Sequence, residues 1–207
     1  MTADRQHSSR RWILTDTGRR QAEAAGAWLR GENLDAYDRH YCSPYVRTMH
    51  TAALLGLLDA EWWLEPLLRE RDRGYEYVAP PEALAREFRH SIRTKNDDRF
   101  LWRPAGGESI ADVDLRLRQV LSTLARELDG RRVICVTHED AMDALRFRLE
   151  KMTIEDFTTR AEGGHEAIGN GWILHWRARS VRFARTAAAG VAVAAHSAAR
   201  TCKRRDG

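Results

Sequence analysis

Three short segments of this chain put ionisable side chains where an anion could be held. Arg47 lies in Tyr41-Cys42-Ser43-Pro44-Tyr45-Val46-Arg47-Thr48, in the first turn of an expected helix. A guanidinium there can fork onto phosphate oxygens. His138 follows the apolar run Val133-Ile134-Cys135-Val136 and Thr137; it can donate to a phosphate or act as an acid–base. Glu70 stands among arginines in Leu68-Arg69-Glu70-Arg71-Asp72-Arg73-Gly74, where its carboxyl can protonate a leaving group. Taken singly, each also reads as something plainer: a solvated arginine, a hydrogen-bonded structural histidine, a surface salt-bridge cluster.

Position makes them a set. Each follows a strand and stands at the start of a helix. In an open parallel sheet ligands bind at the carboxyl ends of strands, and helix N-termini there present free amides. The elements that must do the positioning are legible. Thr15 is the expected N-cap of a helix with Ala22, Ala25, Ala27, Trp28 and Leu29 on one side, stopped at Gly31. A strand is expected near Tyr37 to Cys42. Ser43 at the N-cap and Pro44 at the first position then open a helix carrying Val46, Met49, Ala53 and Leu57. Trp62-Trp63-Leu64-Glu65 reads as extended, and residues 75–104 as a helix-containing insertion over the sheet. Ser109 and Asp112 form a capping box for a helix to about Leu128, with Ile110, Val113, Leu117, Val120, Leu121, Leu124 and Leu128 on its apolar face. Val133 to Val136 is a strand buried on both faces, and Trp172 to Trp176 a last strand. This alternation predicts an α/β fold, a three-layer α/β/α sandwich with a mostly parallel sheet.

Read in order, the segments resemble the histidine phosphatase (phosphoglycerate-mutase-like) superfamily over residues 13 to about 177. Its order is a strand ending in Arg-His-Gly, Leu-Thr-x-x-Gly, Ser-Pro-x-x-Arg-x-x-x-Thr-Ala, Glu-Arg-x-x-Gly, Gly-Gly-Glu-Ser and a strand ending in His-Gly. Here stand Leu14-Thr15-Asp16-Thr17-Gly18, Ser43-Pro44-Tyr45-Val46-Arg47 to Thr51-Ala52, Glu70-Arg71-Asp72-Arg73-Gly74, Gly106-Gly107-Glu108-Ser109 and Val136-Thr137-His138. The resemblance implies phosphomonoester hydrolysis or phosphoryl transfer through a phosphohistidine. Arg47 and His138 would hold phosphoryl oxygens, Glu70 would protonate the leaving oxygen, and Arg71 matches a position that contacts substrate in the mutase branch. It implies no metal and no other cofactor, because cationic side chains balance the developing charge. Gly106 to Ser109 is expected to be a turn and cap.

The chain departs from the pattern at the front. No Arg-His-Gly strand precedes Leu14; the nearest mimic is Arg5-Gln6-His7 in a polar stretch. The expectation is therefore a fold whose first central strand is missing, and chemistry that is impaired or reduced to a phosphoester-binding pseudoenzyme unless a start lies upstream. In the family that strand lies between those leading to Arg47 and His138. Without it, these two leave backbone groups unpaired, at roughly 1–3 kcal/mol each, or close together. Glu139 stands where glycine usually follows the histidine; a carboxylate ~5 Å from a phosphate would repel it by about 3 kcal/mol.

The chain has 207 residues, 43% hydrophobic and 31% charged, as expected of a folded domain. Residues 1–12 read as a polar N-terminus, 13–179 as the domain, and 180–207 as a loosely ordered, basic, Ala-rich tail. Residues 177–207 carry eight basic side chains and one acidic; with a total of +4, residues 1–176 sum to −3. A binding role for the tail on nucleic acid is the competing reading, which its lack of aromatic interleaving argues against. Cys42, Cys135 and Cys202 show no metal or redox spacing, and Cys42 and Cys135 read as buried packing residues. A reducing, cytoplasmic setting is expected, with no membrane span and a phosphorylated small molecule as partner.

Overall fold

The computed structural model describes residues 9–78 and 98–162, single residues between 79 and 97, and strands at 172–177, 180–185 and 192–197. Its organising element is β3, Arg132–Thr137, buried from Val133 onward. Val133 and Cys135 face one core; Ile134 and Val136 face another. Side chains alternate along a strand, so a run without polar residues must be covered on both sides.

On one side lie α4 (Ile110–Glu127) and α5 (Glu139–Leu149), which bring Val113, Leu117, Leu124, Met142 and Leu145 onto Val133 and Cys135. On the other lie α1 (Asp16–Gly31) and α2 (Val46–Leu54), with Ala22, Ala25, Leu29 and Ala52 against Ile134 and Val136. The three-layer expectation is met. The short helix α3 (Tyr75–Val78) and α6 (Ile154–Glu162) complete the described helices. Helices α1 and α2 cross closely at Gly26, where a Cβ would lie 1.9 Å from the Leu55 carbonyl oxygen.

Local signals place the ends of the helices. Thr15 accepts the Gly18 amide, and Ser109 and Asp112 make the reciprocal capping box. Gly31 is only the last helical residue of α1. The left-handed position is Asn33 (φ 54°), with Leu34 N–H donating to Leu29 O and Asn33 N–H to Arg30 O, a Schellman ending in which asparagine replaces glycine. Helix α2 is capped by Tyr45, not Ser43.

The strand order is β2-β1-β3-β6-β4-β5, with β1 at Arg39–Cys42, β2 at Trp62–Leu64, β4 at Trp172–Arg177, β5 at Ser180–Arg185 and β6 at Ala192–Ser197. Strands β2, β1 and β3 are mutually parallel. Strand β1 pairs directly with β3, from Arg39 opposite Val133 to Cys42 opposite Val136. Among the described residues no strand lies between them.

The expected tail needs correction. Residues 180–185 and 192–197 are strands, and β6 pairs antiparallel with β3 along Val133–Thr137, so Trp172–Arg177 is not the last strand. Small residues without periodicity hid β6, but ladder bonds are made by the backbone, which every residue but proline supplies in full. Only two residues separate β4 from β5, a connection that antiparallel strands alone can use. Residues 198–207, with Cys202, lie outside the described residues, as do residues 1–8, with Arg5-Gln6-His7. No described helix is long and apolar enough to cross a membrane.

Candidate active site

Register brings the first two residues together. With Cys42 opposite Val136, β1 and β3 end at the same level, and the Ser43 amide donates to Val136 O. Ser43 Oγ then meets His138 Nε2 at 2.7 Å. Ser43, read from sequence as a helix cap, is fully buried and serves the histidine. Thr48 Oγ1 takes the Ser43 carbonyl at 2.9 Å and holds the bend between β1 and α2.

In the first turn of α2, Arg47 Nη2 donates to His138 Nδ1 at 2.9 Å, and Arg47 Nη1 to the Ser9 carbonyl at 2.8 Å. The Tyr45 ring meets the imidazole edge-on with centroids 4.9 Å apart, and the Arg47 guanidinium lies 5.0 Å from the Tyr45 ring centre. Tyr45 was not singled out in the sequence. Nothing in a lone aromatic beside proline marks it as a site residue.

Glu70 completes the group. Its Oε2 lies 3.7 Å from Arg47 Nη2 and 3.8 Å from His138 Nδ1, while Oε1 accepts the Arg71 amide. Three residues from separate segments thus meet at the carboxyl ends of β1 and β3. Thr137 Oγ1 donates to Leu68 O at 2.7 Å, which ties the end of β3 to the Glu70 segment.

Burial dominates the electrostatics. It pushes the Glu70 carboxyl up to about 7, Asp140 adds to the rise, and Arg47 and Arg73 oppose it. It drives His138 well below the ordinary imidazole range, with Arg47 and Arg116 acting in the same direction. His138 is therefore a neutral imidazole. Arg47 can only donate, so Nδ1 carries the lone pair and Nε2 the proton, which is donated to Ser43 Oγ. Burial also pushes the Cys42 and Cys135 thiols up to about 12, in keeping with packing roles.

The Glu70 loop is set by its contact with residues 102–108. Glu108 accepts from Arg69 at 2.6 Å, from Arg116 Nε at 3.0 Å and from the Asp72 amide at 3.0 Å. Arg116 also donates to Leu67 O. A Cβ on Gly74 (φ +49°) would lie 2.2 Å from Ala105 O, and one on Gly107 would lie 2.4 Å from Asp72 O. The Gly-Gly-Glu-Ser segment is therefore the turn and cap expected of it, and Glu108 adds a clamp that the sequence did not announce.

Arg71, for which the resemblance implied a substrate contact, is buried in this structure. Its buried guanidinium donates to Glu108 O at 2.6 Å and Trp102 O at 3.2 Å, and lies 5.7 Å from the Trp102 ring centre. These partners make it a tie between loops. Glu139 is exposed in the first turn of α5, whereas the buried neighbour Asp140 pairs with Arg73 at 2.9 Å.

No group of three or more potential metal ligands occurs among the described residues. The arrangement offers instead an arginine fork, a rigid imidazole and a carboxyl near neutrality, a set suited to an oxyanion and a proton transfer.

Comparison with known proteins agrees. The model of the histidine phosphatase superfamily (branch 1) matches residues 2–166. An acid phosphatase of Mycobacterium tuberculosis is 38% identical over 129 residues, covering 60% of this chain and 57% of that protein. A 2,3-bisphosphoglycerate-dependent phosphoglycerate mutase of Beijerinckia indica is 31% identical over 156 residues, covering 69% and 71%. Among solved structures, a mycobacterial glucosyl-3-phosphoglycerate phosphatase with inorganic phosphate shares the fold, with a TM-score of 0.67 at 24% identity over 89% of this chain and 92% of that one. By motif order, fold and family match, the chain belongs to the histidine phosphatase superfamily.

Proposed function

We propose that this chain binds phosphomonoesters, with a phosphorylated small molecule as its partner and with catalysis weakened in the 207-residue form. The convergence of Arg47, Glu70 and His138 carries the reading. Arg47 and the imidazole of His138 hold phosphoryl oxygens. Glu70, lifted to about 7 by burial, delivers a proton to the leaving oxygen near neutral pH. No metal is required where cationic donors meet the developing charge.

Weakness follows from what is needed for attack. A phosphohistidine route needs a histidine held in line with phosphorus, and displacement by about 1 Å can cost ~100-fold in rate. His138 is rigid, but its Nε2 and Nδ1 are engaged by Ser43 and Arg47. His7 lies in the polar stretch Met1 to Arg11. The related acid phosphatase and mutases support phosphomonoester chemistry without choosing between hydrolysis and transfer.

The test is p-nitrophenyl phosphate turnover by the 207-residue chain, beside His7→Ala and His138→Ala variants and an orthovanadate-binding measurement. The expected result is turnover near background with vanadate binding retained. Robust turnover abolished by His7→Ala overturns the weakened-catalysis reading and makes Arg5-Gln6-His7 a working motif. Turnover lost in His138→Ala and untouched by His7→Ala, with vanadate still bound, assigns attack to His138.

A further inference from the structure

Ser43 raises a question that the phosphoester reading leaves open. To hold an oxyanion, His138 must donate through Nδ1, the nitrogen that faces Arg47 and Glu70. In this structure Nδ1 is an acceptor, because Arg47 can only donate to it. A bound anion draws the Arg47 fork to itself, and Nδ1 must then gain a proton.

Two routes exist. The ring can become an imidazolium, which places a positive charge on a buried group already facing Arg47 from α2 and Arg116 from α4, with Glu70 Oε2 3.8 Å from Nδ1. Alternatively, the neutral ring can exchange tautomers, losing its proton at Nε2 as one arrives at Nδ1. The second route has one structural requirement. The group at Nε2 must accept a hydrogen bond before the exchange and donate one after it. A main-chain carbonyl cannot do this, and neither can an amide N–H. A hydroxyl can. The group at Nε2 is the Ser43 hydroxyl, 2.7 Å away and fully buried, so no water is required to take its place.

We propose that Ser43 is a positioning residue that lets His138 switch tautomer when an anion binds. The proposal rests on the phosphoester reading above. In the empty site Nε2–H donates to Ser43 Oγ. In the occupied site Nδ1–H donates to the anion, and the Ser43 O–H turns to donate to Nε2. The Nε2 proton is released to solvent and the proton gained at Nδ1 is taken up from solvent, so binding takes up no net proton at His138 and no charge is created in the core.

The fixed bend around Ser43 suits this task. Its carbonyl is held by Thr48 Oγ1, and its amide by Val136 O, so on the Ser43 side only the hydroxyl hydrogen has to turn. The Tyr45 ring against the imidazole edge prevents the ring from answering by rotation.

The test is nitrogen NMR of the full 207-residue chain labelled with 15N-histidine at pH 7.5, without and with saturating orthovanadate, with His138 assigned by its loss in His138→Asn. The expected spectrum has Nε2 protonated and Nδ1 bare when empty, and the reverse when occupied. Vanadate affinity of the wild type should then vary with pH only through the anion's own protonation and that of Glu70. Ser43→Ala leaves Nε2 without its donor in the occupied site and should weaken vanadate binding by about tenfold; Ser43→Thr should restore it. Vanadate binding with both nitrogens protonated, or with Nε2 still protonated, overturns the switch alone. Absence of vanadate binding at any pH brings down the phosphoester reading and the switch with it. If Ser43→Ala does not fold, the wild-type spectra decide.

Discussion

Arg47 and His138, 91 positions apart, are joined by a single 2.9 Å hydrogen bond in which the guanidinium donates to Nδ1. The bond exists because β1 and β3 end at one level and α2 starts immediately beyond β1. It couples the only two groups proposed to grip the phosphoryl oxygens, so a change at one is felt at the other.

Removing Arg47 should therefore have two effects. Arg47→Ala should weaken orthovanadate binding by about tenfold or more, since a charge-assisted fork is lost. It should also raise the pKa of His138, because burial lowers it first and the Arg47 charge next, and only burial and Arg116 would remain. Arg47→Lys should fall between, keeping the charge but losing the planar fork. Histidine NMR titration and vanadate binding check both effects, and unchanged binding in Arg47→Ala would remove Arg47 from the site.

Stability should fall as the medium is made more alkaline through the range from about 4.5 to 7. Glu70 is raised from 4.5 to about 7 by burial and then Asp140, and Asp143 from 3.8 to about 7 by burial, against Arg146. Between the unfolded and folded values the native state binds more protons than the unfolded one. The stability from these protonated carboxyls is thus full below the unfolded pKa and lost as pH rises through the folded pKa. Glu70→Gln, which keeps the shape without the charge, should make the protein more stable at pH 8 by about 2 kcal/mol and flatten this slope. Urea unfolding at pH 5 and pH 8 provides the comparison; equal slopes in both proteins would contradict the assignment.

The two glycines of the Glu70 clamp region should respond unequally. Gly74→Ala meets Ala105 O at 2.2 Å in a left-handed backbone and should cost about 2–4 kcal/mol. Gly106→Ala has the same kind of backbone (φ +72°) but no atom within 4 Å of the new Cβ, and should cost only about 1 kcal/mol. Denaturation midpoints of the two variants give the contrast. Comparable losses would mean that the close approach of the 72–74 and 105–108 segments does not matter.

By itself the sequence determined whatever is set by near neighbours along the chain. Thr15 and the Ser109–Asp112 box mark helix starts because a cap bonds amides two or three residues away. Val133 to Val136 announce a doubly covered strand because nothing polar interrupts them. The order of motifs named the family and singled out Arg47, Glu70 and His138, which the fold does bring together.

The tertiary structure alone decided how those residues are held. That Ser43 serves His138 rather than the helix depends on the register of β1 against β3, a relation between segments 95 residues apart. That Arg71 ties loops together depends on where the 102–108 turn lies. The place of β6 beside β3 depends on backbone pairing to which alanine-rich text gives no periodic clue. In each case the deciding contact is long-range, and its energy belongs to the partner met in space rather than to the residue type written in the chain.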